Sequence, residues 1–321
     1  MSTISIRLPK TEISEIRPLR IMHDLPKVAD LVELCFKYNM DGEGKRYVQQ
    51  MRQASQNHRF LSWASNSLPL TGYVWEEEKR IVGNISVIPF RKKEVVFLLA
   101  NIAVHPDYRR RGIARLLTQK GMNHAHQHRA ASIWLQVDEA NLGAIKLYES
   151  LGFQARARRT TWNANSQFDP RKAIFKTRIT SFAARFWAQQ YLWITEAYPE
   201  EITWYRMPDW QIFKPGLKHW LYRHFVENDI RQWAAQKNGE LQAVLIWMHA
   251  CTRRAPLWLA AAPQADTETL AALLLHARLR LASQRRDLYI DYPAGELTAA
   301  FEAAGFNPRR TLLWMRAEGA V

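Results

Sequence analysis

Two cysteines, Cys35 and Cys251, are all that the 321 residues contain, and they stand far apart. So few exclude a disulfide framework or a cysteine-based metal cluster, and they fit a reducing compartment. Long apolar runs are missing as well. No run reaches the ~20 residues that a spanning helix needs. Met1 to Lys10 also lacks the unbroken apolar stretch of a secretory signal. A cytoplasmic, soluble protein with no membrane partner is therefore expected. Low-complexity tracts are absent, which argues against extended disorder. Acidic residues are in the minority, with 30 Asp and Glu against 45 Lys and Arg, a net charge of +15. Such a charge draws anions at long range, and nucleic acid and a polyphosphorylated cofactor both qualify. No helix interleaves aromatic and basic residues as nucleic-acid modules do, which argues against nucleic acid. The excess is denser early in the chain: residues 1–165 carry 25 Lys and Arg against 15 Asp and Glu, and the rest carries 20 against 15. Its tightest cluster is Arg109-Arg110-Arg111.

What is present reads as a folded chain of about two domains. In the first half a strand at Ile16–Arg20 is followed by Asp24 as a helix N-cap, with Pro26 in the first turn. Val28, Leu31, Val32, Cys35 and Phe36 then recur at helical spacing. Strands are predicted at 73–75, 81–89 and 94–104, a helix at 113–128, a strand at 132–137, and a helix at 142–151 closed by Gly152 as a left-handed cap. A strand at 154–162 ends the series. The polar stretch Asn163 to Pro170 is the linker candidate. The second half repeats this order weakly, and Lys146 to Phe153 matches Ala299 to Phe306, each helix ending in Gly-Phe. The expectation is an α/β chain of two tandem domains, 1–163 and 171–321. Each would be a mostly antiparallel mixed sheet flanked by helices.

The informative segment is Asn101-Ile102-Ala103-Val104-His105-Pro106-Asp107-Tyr108-Arg109-Arg110-Arg111-Gly112-Ile113-Ala114. An apolar strand enters a proline turn, a basic glycine-containing loop follows, and a helix starts at once. The first N–H groups of a helix have no intrahelical partner, and the helix dipole adds partial positive charge there. Gly112 and Ala114 let a phosphate come close to the backbone. Downstream stands a second element, Asn141-Leu142-Gly143-Ala144-Ile145-Lys146-Leu147-Tyr148-Glu149-Ser150-Leu151-Gly152-Phe153, preceded by the strand Trp134-Leu135-Gln136-Val137.

Together the two elements resemble the GNAT superfamily of N-acetyltransferases. Arg109 to Ala114 fits the family's Gln/Arg-x-x-Gly-x-Gly/Ala pyrophosphate loop, and Asn141 to Phe153 fits its Asn-x-x-Ala-x-x-x-Tyr-x-x-x-Gly-Phe element. The resemblance covers roughly residues 14–162 and is closest over 98–153, where it looks most like bacterial enzymes that acetylate protein N-termini, including ribosomal-protein alanine acetyltransferases. It implies acetyl-CoA as acetyl donor and no metal. Ile102, Ala103 and Val104 would bind the pantetheine arm through the backbone. Arg109, Arg110, Arg111, Gly112, Ile113 and Ala114 would hold the pyrophosphate, Asn141 would contact the cofactor near the pantetheine arm, and Tyr148 would be the general acid for the leaving thiolate. An amine would attack the thioester directly in a ternary complex. A backbone N–H near Ala103 would meet the oxyanion, and a phenol suits a thiol leaving group of similar basicity.

One position departs from the family pattern. Gln136 stands where the ribosomal-type enzymes carry a Glu as general base, and an amide accepts no proton at neutral pH. Asp138, Glu139 and His105 are nearby in sequence, and none is singled out. The second half carries neither motif: Ala261 to Glu268 replaces the loop without a glycine or a basic residue, and Phe301 replaces Tyr148. A degenerate GNAT-like domain is expected there. His124 and His128 share a helix face but have no further ligand in the motif, so a polar face is favoured over a metal site. Most of the 13 tryptophans are expected in the core. The Arg278, Arg280, Arg285 and Arg286 group reads as a solvated helix end. The acceptor stays open between a small-molecule amine and a protein or peptide amine. A homodimer also stays open, and a non-catalytic acyl-CoA sensor is the alternative to an enzyme.

Overall fold

A computed structural model describes residues 14–37, 40, 42–54, 71–91, 94–170, 177–182, 184–205, 207–216, 229–249 and 252–319. Cys251 and Trp220 lie outside them. The chain forms two compact units that do not follow residue order: residues 1–136, 142–154 and 315–321 make unit 1, and residues 137–141 and 155–314 make unit 2.

Unit 1 contains β1 (Ser14–Pro18), α1 (Ile21–Phe36), α2 (Gly42–Ala54), β2 (Gly72–Glu77), β3 (Arg80–Arg91), β4 (Val95–Val104), α3 (Ile113–Gln127), most of β5 (Ser132–Asp138) and α4 (Leu142–Glu149). Its strands run in the order β1-β2-β3-β4-β5, antiparallel except for the parallel pair β4/β5. The β2/β3 hairpin turns at Glu78 and Lys79, both with positive φ (48° and 65°), which suits the twist of the flanking strands. Helix α3 lies against β3 because two glycines remove the obstacle. A Cβ at Gly83 would stand 2.9 Å from Ile113 and Leu117, and one at Gly121 would stand 2.9 Å from Ile85. On the other face Leu25, Val28, Ala29 and Val32 of α1 bury themselves with Val48 and Met51 of α2 and Val74 of β2.

Asp24 does not cap α1. The helix begins three residues earlier, at Ile21, and Pro26 lies inside it. The Asp24 carboxylate is fully buried and accepts hydrogen bonds from Arg17 (2.6 and 3.0 Å) and from the Arg20 N–H (2.7 Å). Burial alone would raise its pKa, but the Arg17, His23 and Arg20 hydrogen bonds outweigh that and hold it at about 2. A depressed carboxyl contributes stability above its unfolded pKa and loses it as the pH falls through the folded one. Acid unfolding driven by this group should therefore develop below pH 3.8, toward about 2. Asp24→Ala leaves Arg17 buried with half its partners, and an equilibrium urea titration should register a loss of about 3–5 kcal/mol.

Unit 2 is built on β6 (Gln154–Ala164), β7 (Arg178–Ser181), α5 (Trp187–Ala197), β8 (Ile230–Lys237), β9 (Glu240–Met248), β10 (Arg254–Ala261), α6 (Thr267–Leu281), β11 (Asp287–Pro293), α7 (Thr298–Ala303) and β12 (Phe306–Glu318). The strand order is β12-β6-β11-β10-β9-β8-β7, with β10/β11 the parallel pair. Its core gathers Trp162, Trp193, Trp210, Trp233, Trp247 and Trp258, as the tryptophan content suggested. Arg278 is not solvated: it is 8% exposed. Its guanidinium donates to the carbonyls of Ala304, Gly305 and Asn165 at 2.6–2.9 Å and stacks against Phe168 and Phe306. Three converging carbonyls offset part of the cost of burying a charge that composition alone assigns to the surface, and desolvation still lowers its pKa.

The unit boundaries expose an exchange. From Ala155 onward, β6 belongs to unit 2, although it follows α4 directly in sequence. From Met315 onward, the end of β12 belongs to unit 1, where it lies beside β5.

Candidate acyl-donor site

Strand β4 shapes the site. Its pairing with β5 runs from Val96–Ser132 to Leu99–Leu135 and stops there. On the β3 side, Asn84 pairs with Ala103 and Ser86 with Ala100, so two residues of β4, Asn101 and Ile102, oppose one of β3. This is a β-bulge, and Asn101 sits in it with φ 50°. Ala100 to Val104 thus continue past the point where β5 leaves. Among the described residues their backbone on that side has no strand partner, a shape suited to an extended ligand laid against the strand.

The chain leaves β4 through a single-turn 3₁₀ helix, Pro106–Tyr108, capped by His105, whose Nδ1 accepts from the Asp107 N–H at 3.4 Å. The loop then turns through Arg110 (φ 66°) and Gly112 (φ 79°). Gly112 is the N-cap of α3 and supplies no side chain, and the first intrahelical bond runs from Leu116 N–H to Gly112 O at 3.1 Å. The N–H groups of Ile113, Ala114 and Arg115 precede that bond and so carry the helix's unmatched donors. No atom lies within 4 Å of the position a Cβ on Gly112 would take. The loop is open and uncapped, at the positive end of a 15-residue helix, an arrangement that favours an anion.

The three arginines do different work. Arg111 is engaged by Glu77 in a two-pronged pair at 3.0 Å and lies over the Tyr108 ring. Arg109 donates through Nε to the Val104 carbonyl at 3.2 Å. Arg110 is exposed and makes no hydrogen bond or ion pair among the described residues. Arg115 reaches Ser150 Oγ at 2.7 Å, and so joins the first turn of α3 to the end of α4.

Tyr148 is on the last turn of α4, 7% exposed, with its ring edge-on to Phe153. Gly152 (φ 89°) ends the helix there, and the Phe153 N–H bonds back to the Tyr148 carbonyl at 3.0 Å. Burial pushes the Tyr148 hydroxyl up to about 12. Asn141 immediately precedes α4, its N–H on the Asp138 carbonyl at 2.9 Å, in the segment 137–141 that packs with unit 2. Gln136 is partly exposed at the first residue past the β4/β5 pairing. Sequence reading missed Glu77, which lies 34 residues from Arg111, and Cys35, whose thiol donates to Val104 O at 3.3 Å. Burial raises the pKa of that thiol against the Arg109 charge. Nothing local announces either contact. Among the described residues no group of three or more His, Cys, Asp or Glu is placed to hold a metal. His124 and His128 stack on each other, with Tyr73 hydrogen-bonded to His124.

Unit 2 has a comparable framework without the bulge and without the open helix head. Its parallel pairing ends at Leu257–Ile290, but β10 runs on against β9 without a bulge. Tyr198 fills the divergence: its hydroxyl accepts from the Leu259 N–H at 3.4 Å. Asp291 follows Ile290 as Gln136 follows Leu135, and it is bound by the buried Arg159. The N-terminus of α6 is closed by its own Asp266, which accepts from the Thr269 N–H at 2.9 Å. The Lys237 ammonium, aided by Thr269, holds that carboxyl at about 2. Phe301 is fully buried against Trp162.

The comparisons agree with this geometry. The model of the Acetyltransferase (GNAT) family matches residues 31–153. The ribosomal protein bS18-alanine N-acetyltransferase of Escherichia coli is 47% identical over 55 residues, 17% of this chain and 37% of that enzyme, so the match spans little more than a third of the relative. A GCN5-related N-acetyltransferase from Sphaerobacter thermophilus superposes with TM-score 0.59 at 15% identity, covering 98% of each chain. A tandem GNAT protein from the clavulanic acid biosynthesis pathway superposes with TM-score 0.53 at 15% identity, covering 95% of this chain and 98% of that one. Residues 31–153 thus match the model of the GNAT acetyltransferase family, and the chain shares the fold of a tandem GNAT protein.

Proposed function

We propose that the chain transfers an acetyl group from acetyl-CoA to a primary amine by direct attack in a ternary complex. The observation that carries this reading is the open anion cradle of Arg109 to Ala114, set at the end of a bulged strand whose far edge is unpaired. When bound, acetyl-CoA supplies an activated acyl carbon. The first N–H groups of α3 hold the pyrophosphate, with the unpaired Arg110 beside them. Backbone groups of Ile102 to Val104 orient the pantetheine arm and present a donor to the charge that develops on the acyl oxygen. Tyr148 hands its proton to the departing sulfur, and Asn141 orients the donor from the residue before α4. Gln136 orients a water that carries the amine's proton to bulk solvent, since an amide does not take that proton itself.

The acceptor is a small-molecule amine or the amine of a protein or peptide. The likeness to an enzyme that acetylates a ribosomal protein supports testing peptide N-termini first. We place the protein in the cytoplasm; among the described residues no helix is long and apolar enough to cross a membrane. We read residues 1–163 as the acetyl-CoA domain and 171–321 as the degenerate one. A calorimetric titration with acetyl-CoA tests the reading. One site per chain is expected, because unit 2 has a capped helix and a filled divergence, and turnover of amines should accompany it. Two sites would refute the reading of unit 2, and no binding would refute the enzyme. A second reading, an acyl-CoA sensor, is favoured by Gln136 alone: binding without turnover of any amine would select it.

A further inference from the structure

The bulge of β4 is held in place by side chains that the reaction chemistry does not use. Asn101 carries φ 50°, a left-handed conformation that strains a non-glycine residue. Three hydrogen bonds oppose that strain. Its side-chain amide donates to Tyr47 Oη at 2.8 Å and to Ser86 Oγ at 3.1 Å, and its carbonyl accepts from Asn84 Nδ2 at 3.0 Å. Asn84 and Ser86 lie on β3 and Tyr47 on α2, so three separate points fix one residue. Asn84 is 1% exposed, and its Oδ1 has no hydrogen-bond partner among the described residues. Leaving a buried acceptor unmatched is destabilising. An apolar residue of the same size would avoid that cost, so Asn84 works against stability at this place while its other arm grips the bulge.

We propose that Asn101 is a positioning residue for acetyl transfer, and that Tyr47 couples its geometry to α2. The lock fixes the direction of the Ile102, Ala103 and Val104 N–H groups, which the proposed function assigns to the pantetheine arm and the acyl oxygen; the inference rests on that reading. Reacting groups displaced by about 1 Å lose rate by up to about a hundredfold, so a loosened bulge lowers turnover before it lowers affinity. Helix α2 packs on α1, and the Tyr47 hydroxyl carries a shift of α2 to Asn101 of β4.

The test uses Tyr47→Phe, Asn101→Gly and the double variant. Phenylalanine keeps the ring and removes the hydroxyl. Glycine keeps the left-handed backbone at no steric cost and removes the amide. Two readouts are taken. One is amide hydrogen exchange at Ile102 to Val104 in the protein without acetyl-CoA, which does not depend on the enzyme reading. The other is kcat with acetyl-CoA affinity measured separately. Each single variant should exchange several-fold faster at those amides, and kcat should fall about tenfold while the acetyl-CoA Kd stays within about twofold. The double variant should be no worse than either single one, because both cut the same link. Asn84→Leu should lower kcat while the melting temperature holds or rises, which a merely structural residue would not do. Unchanged exchange at Ile102 to Val104 in both singles overturns the lock, whatever the catalytic outcome. Additive losses in the double variant overturn the coupling through Tyr47. Faster exchange in the single variants of a protein whose wild type binds no acetyl-CoA would keep the lock and sink the function instead.

Discussion

Tyr148→Phe should lower kcat by about 10²–10³-fold while leaving the affinity for acetyl-CoA within a factor of about two. Phenylalanine keeps the ring, its edge-on contact with Phe153 and the burial of the helix end; only the proton is lost. The pH profile carries a second signature. An acid must hold its proton to work, so the rate falls as the pH passes its pKa. Burial has moved that point from 10 to about 12. Single-turnover rates should therefore show no alkaline limb near pH 10 that vanishes in the variant. A kcat unchanged by the substitution would mean that the thiolate leaves without help from this side chain.

The second large effect is expected at the loop. Gly112→Asp should weaken acetyl-CoA binding at least about a hundredfold, since a carboxylate about 4 Å from a phosphate charge is repelled by roughly 4 kcal/mol in a surface dielectric. The fold should survive it. The space beside Gly112 is empty, and aspartate tolerates the left-handed backbone that Gly112 adopts at φ 79°. Gly112→Ala separates the two causes: it shares the backbone strain of about 1 kcal/mol but brings no charge. Calorimetry on both variants decides, and equal losses would refute a charge-based cradle. The protein already contains a natural version of the aspartate variant, because Asp266 occupies the head of α6 and satisfies donors that a phosphate would otherwise need.

How much of this could be read from the residues depended on how local the signal was. The strand-turn-loop-helix run from Asn101 to Ala114 is contiguous, and its structure follows residue by residue. Gly152 and Gly305 both take the left-handed caps that their sequence context demanded. The start of α1 was misread because Asp24 and Pro26 imitate a helix beginning; Asp24 is instead committed to Arg17, seven residues back. Helix α2 was missed because Gly42 to Ala54 holds two glycines and few apolar residues, so its stripe of Tyr47, Val48 and Met51 is thin. The four-residue β7 and the tryptophan-rich α5 gave no clear period. At the site the bulge had a hint, since Asn101 is the one polar residue in the run VVFLLANIAV. Its partners were invisible, because Tyr47 stands 54 positions away and meets it only through the fold.

The exchange of β6 and the end of β12 changes what it means to call the second half inactive. Residues 315–319 complete the unit that carries the cradle, and β6 leaves that unit for the other. A gene split at residue 163 would therefore strip the first unit of its last strand, and a late stop codon would reach the proposed donor site from the far end of the message. Even with no chemistry of its own, as proposed, the second half could not be deleted cleanly, because the two units share their strands as a single inheritance.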